Sequence, residues 1–255
     1  VTGGGSRPGG RWLLGLVLPV LLLVAWQLSS TLGFFSANQL PPPPDVLAAA
    51  RRLWGTGTLQ HNIAISVQRV LIGFACGAVA GIVLGGLTGL SRWVSDLLSP
   101  TLGALRSVPS LAWVPLLGLW IGIGETPKIV LVAIGAFFPV YTTVSSALAH
   151  VDPALLEVGR AYGRRGVRLF GEVLLPATAP SLLSGLRLGL AQSWLFLVAA
   201  ELISSAIGLG YQMTNGQNTG RTDEVLLAIV LLALLGKLSD VVLGLVERQV
   251  ALRRA

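Results

Sequence analysis

Nearly unbroken apolar runs cover residues 12–32, 63–90, 102–123, 128–148, 182–207 and 225–245, with short polar loops between them. Each run matches the ~20 residues that carry a helix across a hydrocarbon layer about 30 Å thick. Lipid supplies no partner for an open strand edge, so runs of this length predict helices rather than strands. The pattern predicts an all-α, polytopic integral membrane protein with about six spans. A Gly-rich disordered tail is expected over residues 1–11, and one membrane domain over residues 12–255. A basic start and an apolar core also describe a signal peptide. The first run is longer than such a core needs, and no small-x-small cleavage site stands out, so it reads as a retained span. The four prolines at 41–44 predict a stiff extended segment that opens onto a short helix over residues 45–54. There Val46, Ala49, Leu53 and Trp54 share a face while Arg51 and Arg52 turn to water or headgroups, the pattern of a helix lying flat in the interface.

Composition agrees: 53% of residues are hydrophobic and only 11% charged, against roughly 25% charged in soluble domains. The net charge of +7 does not read as a nucleic-acid surface, because the arginines sit in short loops beside apolar runs and no basic patch is interleaved with aromatics. It reads as topology. With the N-terminus inside, one side collects Arg7, Arg11, Arg92, Arg160, Arg164, Arg165, Arg168, Arg248, Arg253 and Arg254, and the other only Arg51, Arg52, Lys128 and Arg221. Lys and Arg accumulate on the cytoplasmic side, which places both termini and the loop after residue 148 there. The loops at 33–62, 124–127 and 208–224 then face outward.

That cytoplasmic loop, residues 152–176, is out of character with the rest. Asp152 suits a helix N-cap, Pro153 the first helical position, and Gly163 the stop. Leu155, Val158 and Tyr162 fall on one side of this short helix, with Glu157, Arg160 and Arg164 around the others. Leu175-Pro176 and Pro180 punctuate the return into the membrane. The expected object is a small, stiff helical knob. Its bland reading is a topology loop with a Glu157–Arg160 surface pair worth about 0.2–0.5 kcal/mol.

Ionisable groups inside spans cost about 2.5–3.5 kcal/mol each on insertion scales, which makes them informative. Arg69 and Glu201 lie at a similar depth and can pair, either to fix helix packing or to bind solute. Arg106 and Arg187 lie nearer the inner ends, where they can snorkel, and Lys237 can pair with Asp240 along the last run. Ser107-Val-Pro109-Ser110 and Pro115 interrupt an apolar run and free backbone groups that lipid cannot satisfy. This stretch with Trp113 either lines a wet translocation path or packs as a kinked helix against its neighbours. His61 and His150 fall on opposite sides, so they make no two-histidine metal site, and Cys76 lacks an activating neighbour in sequence. Gly85-Gly-Leu-Thr-Gly89 lacks the Lys of a phosphate loop and suits tight helix packing instead.

Glu157, Gly163, Val173, Leu175 and Pro176 carry the spacing of the "EAA" loop of ABC importer permeases, with Val158 and Gly159 where that pattern has alanines. Leu105-Arg-Ser-Val-Pro-Ser-Leu-Ala-Trp-Val-Pro115, Gly135-Ala-Phe-Phe-Pro139, and Glu201-Leu-Ile with Gly208-Leu-Gly-Tyr211 also resemble the subgroup that imports sulfonates, taurine and nitrate. The chain thus resembles a type I ABC importer permease over about residues 38–250. The resemblance implies a second permease copy (a homodimer), cytoplasmic ATPase subunits that use Mg-ATP, and an extracytoplasmic solute-binding protein. It implies no cofactor and no enzymatic activity in this chain. Glu157, Arg160, Ala161, Gly163, Arg164, Val173, Leu175 and Pro176 would couple to the ATPase; Ser107, Pro109, Ser110, Trp113 and Glu201 would line the path of a small anion moved inward by alternating access. A stand-alone ion-coupled secondary transporter or channel is the other reading, weakened by the lack of an evident internal repeat.

Overall fold

The computed structural model describes residues 9–36 and 38–252, so residues 1–8 of the expected tail and Arg7, Arg253 and Arg254 of the charge count lie outside the described residues. Every regular element among the described residues is helical. In chain order these are α1 (Gly9–Thr31), α2 (Pro43–Gly55), α3 (Thr58–Leu90), α4 (Arg92–Arg106), α5 (Ser110–Ile121), α6 (Glu125–Ala149), α7 (Pro153–Ala161) and α8 (Gly166–Leu169). A π-helical turn (Phe170–Leu174) then leads into α9 (Leu175–Ser204), α10 (Leu209–Asn218) and α11 (Thr222–Leu252).

Among the described residues four stretches are long and apolar enough to cross a membrane: Thr58–Leu90, Glu125–Ala149, Phe170–Ile203 and Thr222–Gln249. One of the six expected spans differs; the first lies in the 23-residue α1, of which Val17–Thr31 is the stretch with described side chains. The run at 102–123 is broken at residues 107–109, which leaves α5 with 12 residues, about 18 Å of helix. Pro109 has no N–H to extend α4, and Ser107 turns its hydroxyl back to the Gly103 carbonyl at 3.1 Å.

The chain divides into two units, residues 1–60 with 212–229, and residues 61–211 with 230–255. In the first, Trp26 Nε1 donates to the Pro41 carbonyl at 3.0 Å and Ser30 to that of Leu40 at 2.9 Å, tying the proline run to α1. Helix α2 buries Val46 and Ala49 as its pattern predicts, but Trp54 stays exposed. Arg52 does not simply face headgroups. It pairs with Asp223 at 3.1 Å and Glu224 at 3.0 Å, and the hydrogen bond to Asp223, then that to Glu224, holds its pKa above the ordinary arginine value.

In the second unit α6 is central. Gly73, Gly77, Gly81, Gly85 and Gly89, one per turn of α3, lie against Val132, Ala133, Phe137, Tyr141 and Leu148 of α6. A Cβ on Gly77 would overlap the Ala133 carbonyl, so backbone meets backbone along a small-xxx-small ridge. On another face, Gly185 and Gly189 of α9 admit Thr143 and Val140. Lipid tails are as apolar as leucine, so such close van der Waals fit, not burial from water, holds these helices together. Arg187 does not snorkel: it pairs with Asp240 at 2.8 Å and Glu247 at 2.9 Å on α11, and Lys237 meets Asp240 at 3.4 Å.

Candidate functional site

The loop after α6 folds as a capped helix. Asp152 accepts from the Ala154 N–H at 2.8 Å, and Pro153 opens α7. At the other end Gly163 adopts φ +74°, and its N–H reaches the Arg160 carbonyl at 2.9 Å while that of Arg164 reaches Gly159 at 3.0 Å. These paired bonds are a Schellman stop, which needs the left-handed residue that glycine supplies without strain. Nothing lies within 4 Å of a Cβ at Gly163, so its role is this turn rather than close packing inside the chain.

Packing locks the knob to the helices. Gly159 is buried, and a Cβ there would overlap Leu169 and press on Val173 at 3.3 Å. Leu156 and Phe170 pack on the buried cluster of Ala78, Val140, Val144, Leu148 and Leu174. The π turn closes with the Leu175 N–H on the Phe170 carbonyl, one residue wider than an α-helical bond. Pro176 follows at once; its ring crowds the preceding turn and its nitrogen cannot donate, which a wider turn relieves. Leu175 is half-buried, Pro176 is exposed, and Arg164 forms an ion pair with Glu172 across the loop.

What the knob leaves open is equally specific. Leu155, Val158 and Tyr162 are 43%, 54% and 81% exposed, an apolar stripe with no lipid-length helix around it. Glu157, Arg160, Ala161, Arg165 and Arg168 are exposed too. The Glu157–Arg160 pair does not form, and neither Glu157, Arg160, Arg165 nor Arg168 has an ion-pair partner among the described residues.

A second constellation is its opposite. Arg69, 2% exposed, grips Glu125 with two bonds of 2.6 and 2.7 Å and donates to Glu201 at 2.6 Å and to the Ile207 carbonyl at 2.8 Å. Glu201 also accepts from Ser66 at 2.9 and 3.0 Å and from the Gly210 N–H at 2.8 Å. Ser66 in turn accepts from Leu209 N–H at 2.9 Å, and Asn62 from Gly208 N–H at 3.1 Å. Gly208 sits at φ +120°, and a Cβ there would overlap the Glu201 carboxylate, so this short loop can wrap the acid only as glycine. Lys128, read from sequence as an outer-loop charge, is 5% exposed and bonds Glu125 at 3.0 Å. Arg69 and Glu201 therefore pair as their depth suggests, and Glu201, grouped above with the path residues, has its side chain at 0% exposure inside this network. Glu125 completes the network; its place as an acid in the first turn of α6, at the outer end of its run, was the signal available.

The other path residues scatter. Ser107 and Pro109 are exposed at the α4–α5 break, the Ser110 side chain lies outside the described residues, and Trp113 packs on the cluster of Val114, Leu117, Leu131 and Ala200. A cavity of about 330 Å³ lies against mid-α6, lined in part by Arg106, Thr142, Thr143, Gln192, Phe138 and Phe196. None of the four path residues with described side chains, Ser107, Pro109, Trp113 and Glu201, lines it. Among the described residues no cluster of His, Cys, Asp or Glu is arranged to hold a metal ion.

Long apolar helices packed through glycine, and a helical knob outside them, define a multi-pass membrane protein. The chain belongs to the binding-protein-dependent transport system inner membrane component family, which matches residues 77–252. It is 44% identical to a protein of Escherichia coli K12 named aliphatic sulfonates transport permease protein SsuC, over 95% of this chain and 94% of that one. A Bacillus subtilis 168 protein of the same name is 38% identical over 96% of this chain and 90% of its own length. Among solved structures, an inward-facing MetNI methionine ABC transporter shares the fold with a TM-score of 0.67 and 23% identity, covering 76% of this chain and 97% of that one. The chain is thus a transport-system membrane subunit of the ABC permease kind.

Proposed function

We propose that this chain is the permease of an ATP-driven importer of small organic anions, aliphatic sulfonates first, working as a homodimer with an extracytoplasmic solute-binding protein and separate ATPase subunits. The observation that carries this reading is the knob at 152–176: capped at both ends, packed on the α6 and α9 core, yet open along Leu155, Val158 and Tyr162. A rigid lever with an unfilled apolar stripe and unpaired charges suits a soluble partner whose closure must be passed to the helices. Glu157, Arg160 and Ala161 face that partner, and Gly163 with the Arg164–Glu172 pair holds the turn. Val173, Leu175 and Pro176 join the lever to α9. Both termini and the knob then lie in the cytoplasm, the chain binds no cofactor, and Mg-ATP is hydrolysed by the partner. Ser107, Pro109 and Ser110 form a break at which α4 and α5 can turn independently, beside the path rather than as ligands.

The substrate assignment rests on the names of the two relatives at 44% and 38% identity. The test is co-purification and transport with a candidate ATPase subunit and a sulfonate-binding protein. Val158→Asp and Tyr162→Ala are expected to insert normally but to lose the ATPase and ATP-dependent sulfonate uptake. Full coupling in both variants, or uptake by the chain alone on an ion gradient, refutes the reading.

A further inference from the structure

We infer that a hydroxyl-lined groove along α6, headed by Arg106, is the passage for the transported anion, with Arg106, Gln192 and Thr143 holding its acidic headgroup at mid-helix. This rests on the permease reading above and assigns the path within it.

Three cavities share their walls. The first, about 330 Å³, holds Arg106, Thr142, Thr143 and Gln192; a second, about 290 Å³, holds Arg106, Thr142 and Ser146. A third, about 420 Å³, holds Thr142, Thr143, Ser146, Ser181 and His150. Thr142 borders all three, so they form one groove from the middle of α6 to its end at the knob loop.

The side chains of Arg106, Thr143, Ser146, Ser181 and Gln192 make no hydrogen bond or ion pair among the described residues. Arg69, Lys128, Arg187 and Lys237 each have a carboxylate partner. Polar groups left open at this depth are tolerated only against protein or a wet cavity. Among the described residues no acid lines any of the three cavities, so the Arg106 charge is uncompensated there and favours an anion.

The chemistry is specific. A guanidinium fork matches two oxygens of a sulfonate-type headgroup, and an amide and a hydroxyl can donate to the remainder. Phe138, Leu188 and Phe196 in the same wall suit a short alkyl tail. The first cavity falls within the roughly 300–1,000 Å³ of small-molecule sites. Chain order alone places Arg106 among snorkelling residues, because the cavity that the end of α4 shares with α6 and α9 is not visible in it.

Two measurements on the full complex test this. In proteoliposomes, Arg106→Gln should reduce ATP-driven ethanesulfonate uptake about tenfold or more, the loss of one charge-assisted bond, while Arg106→Lys, which keeps the charge but not the fork, recovers only part of it. In a Cys76→Ser background, Thr143→Cys should react faster with an anionic methanethiosulfonate than with a cationic one of similar size. Arg106→Gln should abolish that preference. Wild-type uptake that ignores Arg106→Gln, or a Thr143→Cys that shows no charge preference or no labelling, overturns the groove assignment. Wild-type uptake that needs no ATP instead overturns the permease reading itself, so the two failures are distinct.

Discussion

Arginine, glutamate and glycine build both the network around Arg69 and the knob around Glu157, with opposite results. In the network each charge is met, and Arg69, Glu201 and Lys128 are buried: Glu201 has three donors, and Gly208 and Gly210 let backbone close over it. In the knob the backbone is satisfied at both caps, but Glu157, Arg160, Arg165 and Arg168 face outward without partners. Saturated charges fix the relative positions of α3, α6 and α9. Open charges on a rigid support are left to water and stay available to a partner.

The sharpest way to break this contrast is to remove one member of the buried pair. Arg69→Leu or Glu201→Gln should cost about 3–5 kcal/mol, read as a lower unfolding temperature in detergent, because the remaining group is left uncompensated. Replacing both with apolar residues should restore most of that loss, since the desolvation of two charges disappears as well. Next comes the glycine ridge: Gly77→Val should destabilise by about 1–3 kcal/mol through overpacking against Ala133. Gly118→Ala, with open space around it, should stay within about 0.5 kcal/mol by the same measurement.

Smaller stability effects are expected in the knob, paired with larger functional ones. Asp152→Ala should cost about 1 kcal/mol of local helix stability, seen as faster amide exchange over α7. Gly163→Ala should cost about 1 kcal/mol by straining the left-handed turn, and should lower uptake per ATP hydrolysed. Glu157→Gln should leave unfolding unchanged within about 0.5 kcal/mol while impairing coupling to the ATPase. Equal losses of stability in Glu157→Gln and Glu201→Gln would erase the distinction between the two regions.

The apolar runs made the helical, membrane-spanning class legible, because a chain in lipid must satisfy its backbone locally and needs ~20 apolar residues to do so. The knob was legible as well: Asp152-Pro153 and Gly163 act within one or two turns of themselves, so their meaning is carried by neighbours in sequence. The break at Ser107-Val-Pro109 was legible as an interruption, but not as the end of a span, since length after a break depends on where the next helix packs.

Long-range placement was not legible. Depth in the bilayer suggested that Arg69 could meet Glu201, yet Glu125 and Lys128 joined them only because α6 lies along the glycine ridge of α3. Arg106, Thr143 and Gln192 come from three helices, and nothing in their spacing brings them to one cavity. Hydrophobic length, caps and turn residues therefore settled in the chain itself what each segment becomes. Which charges are sealed and which face a cavity was decided only by tertiary packing, because a helix-to-helix contact depends on two surfaces, and sequence order shows only one of them at a time.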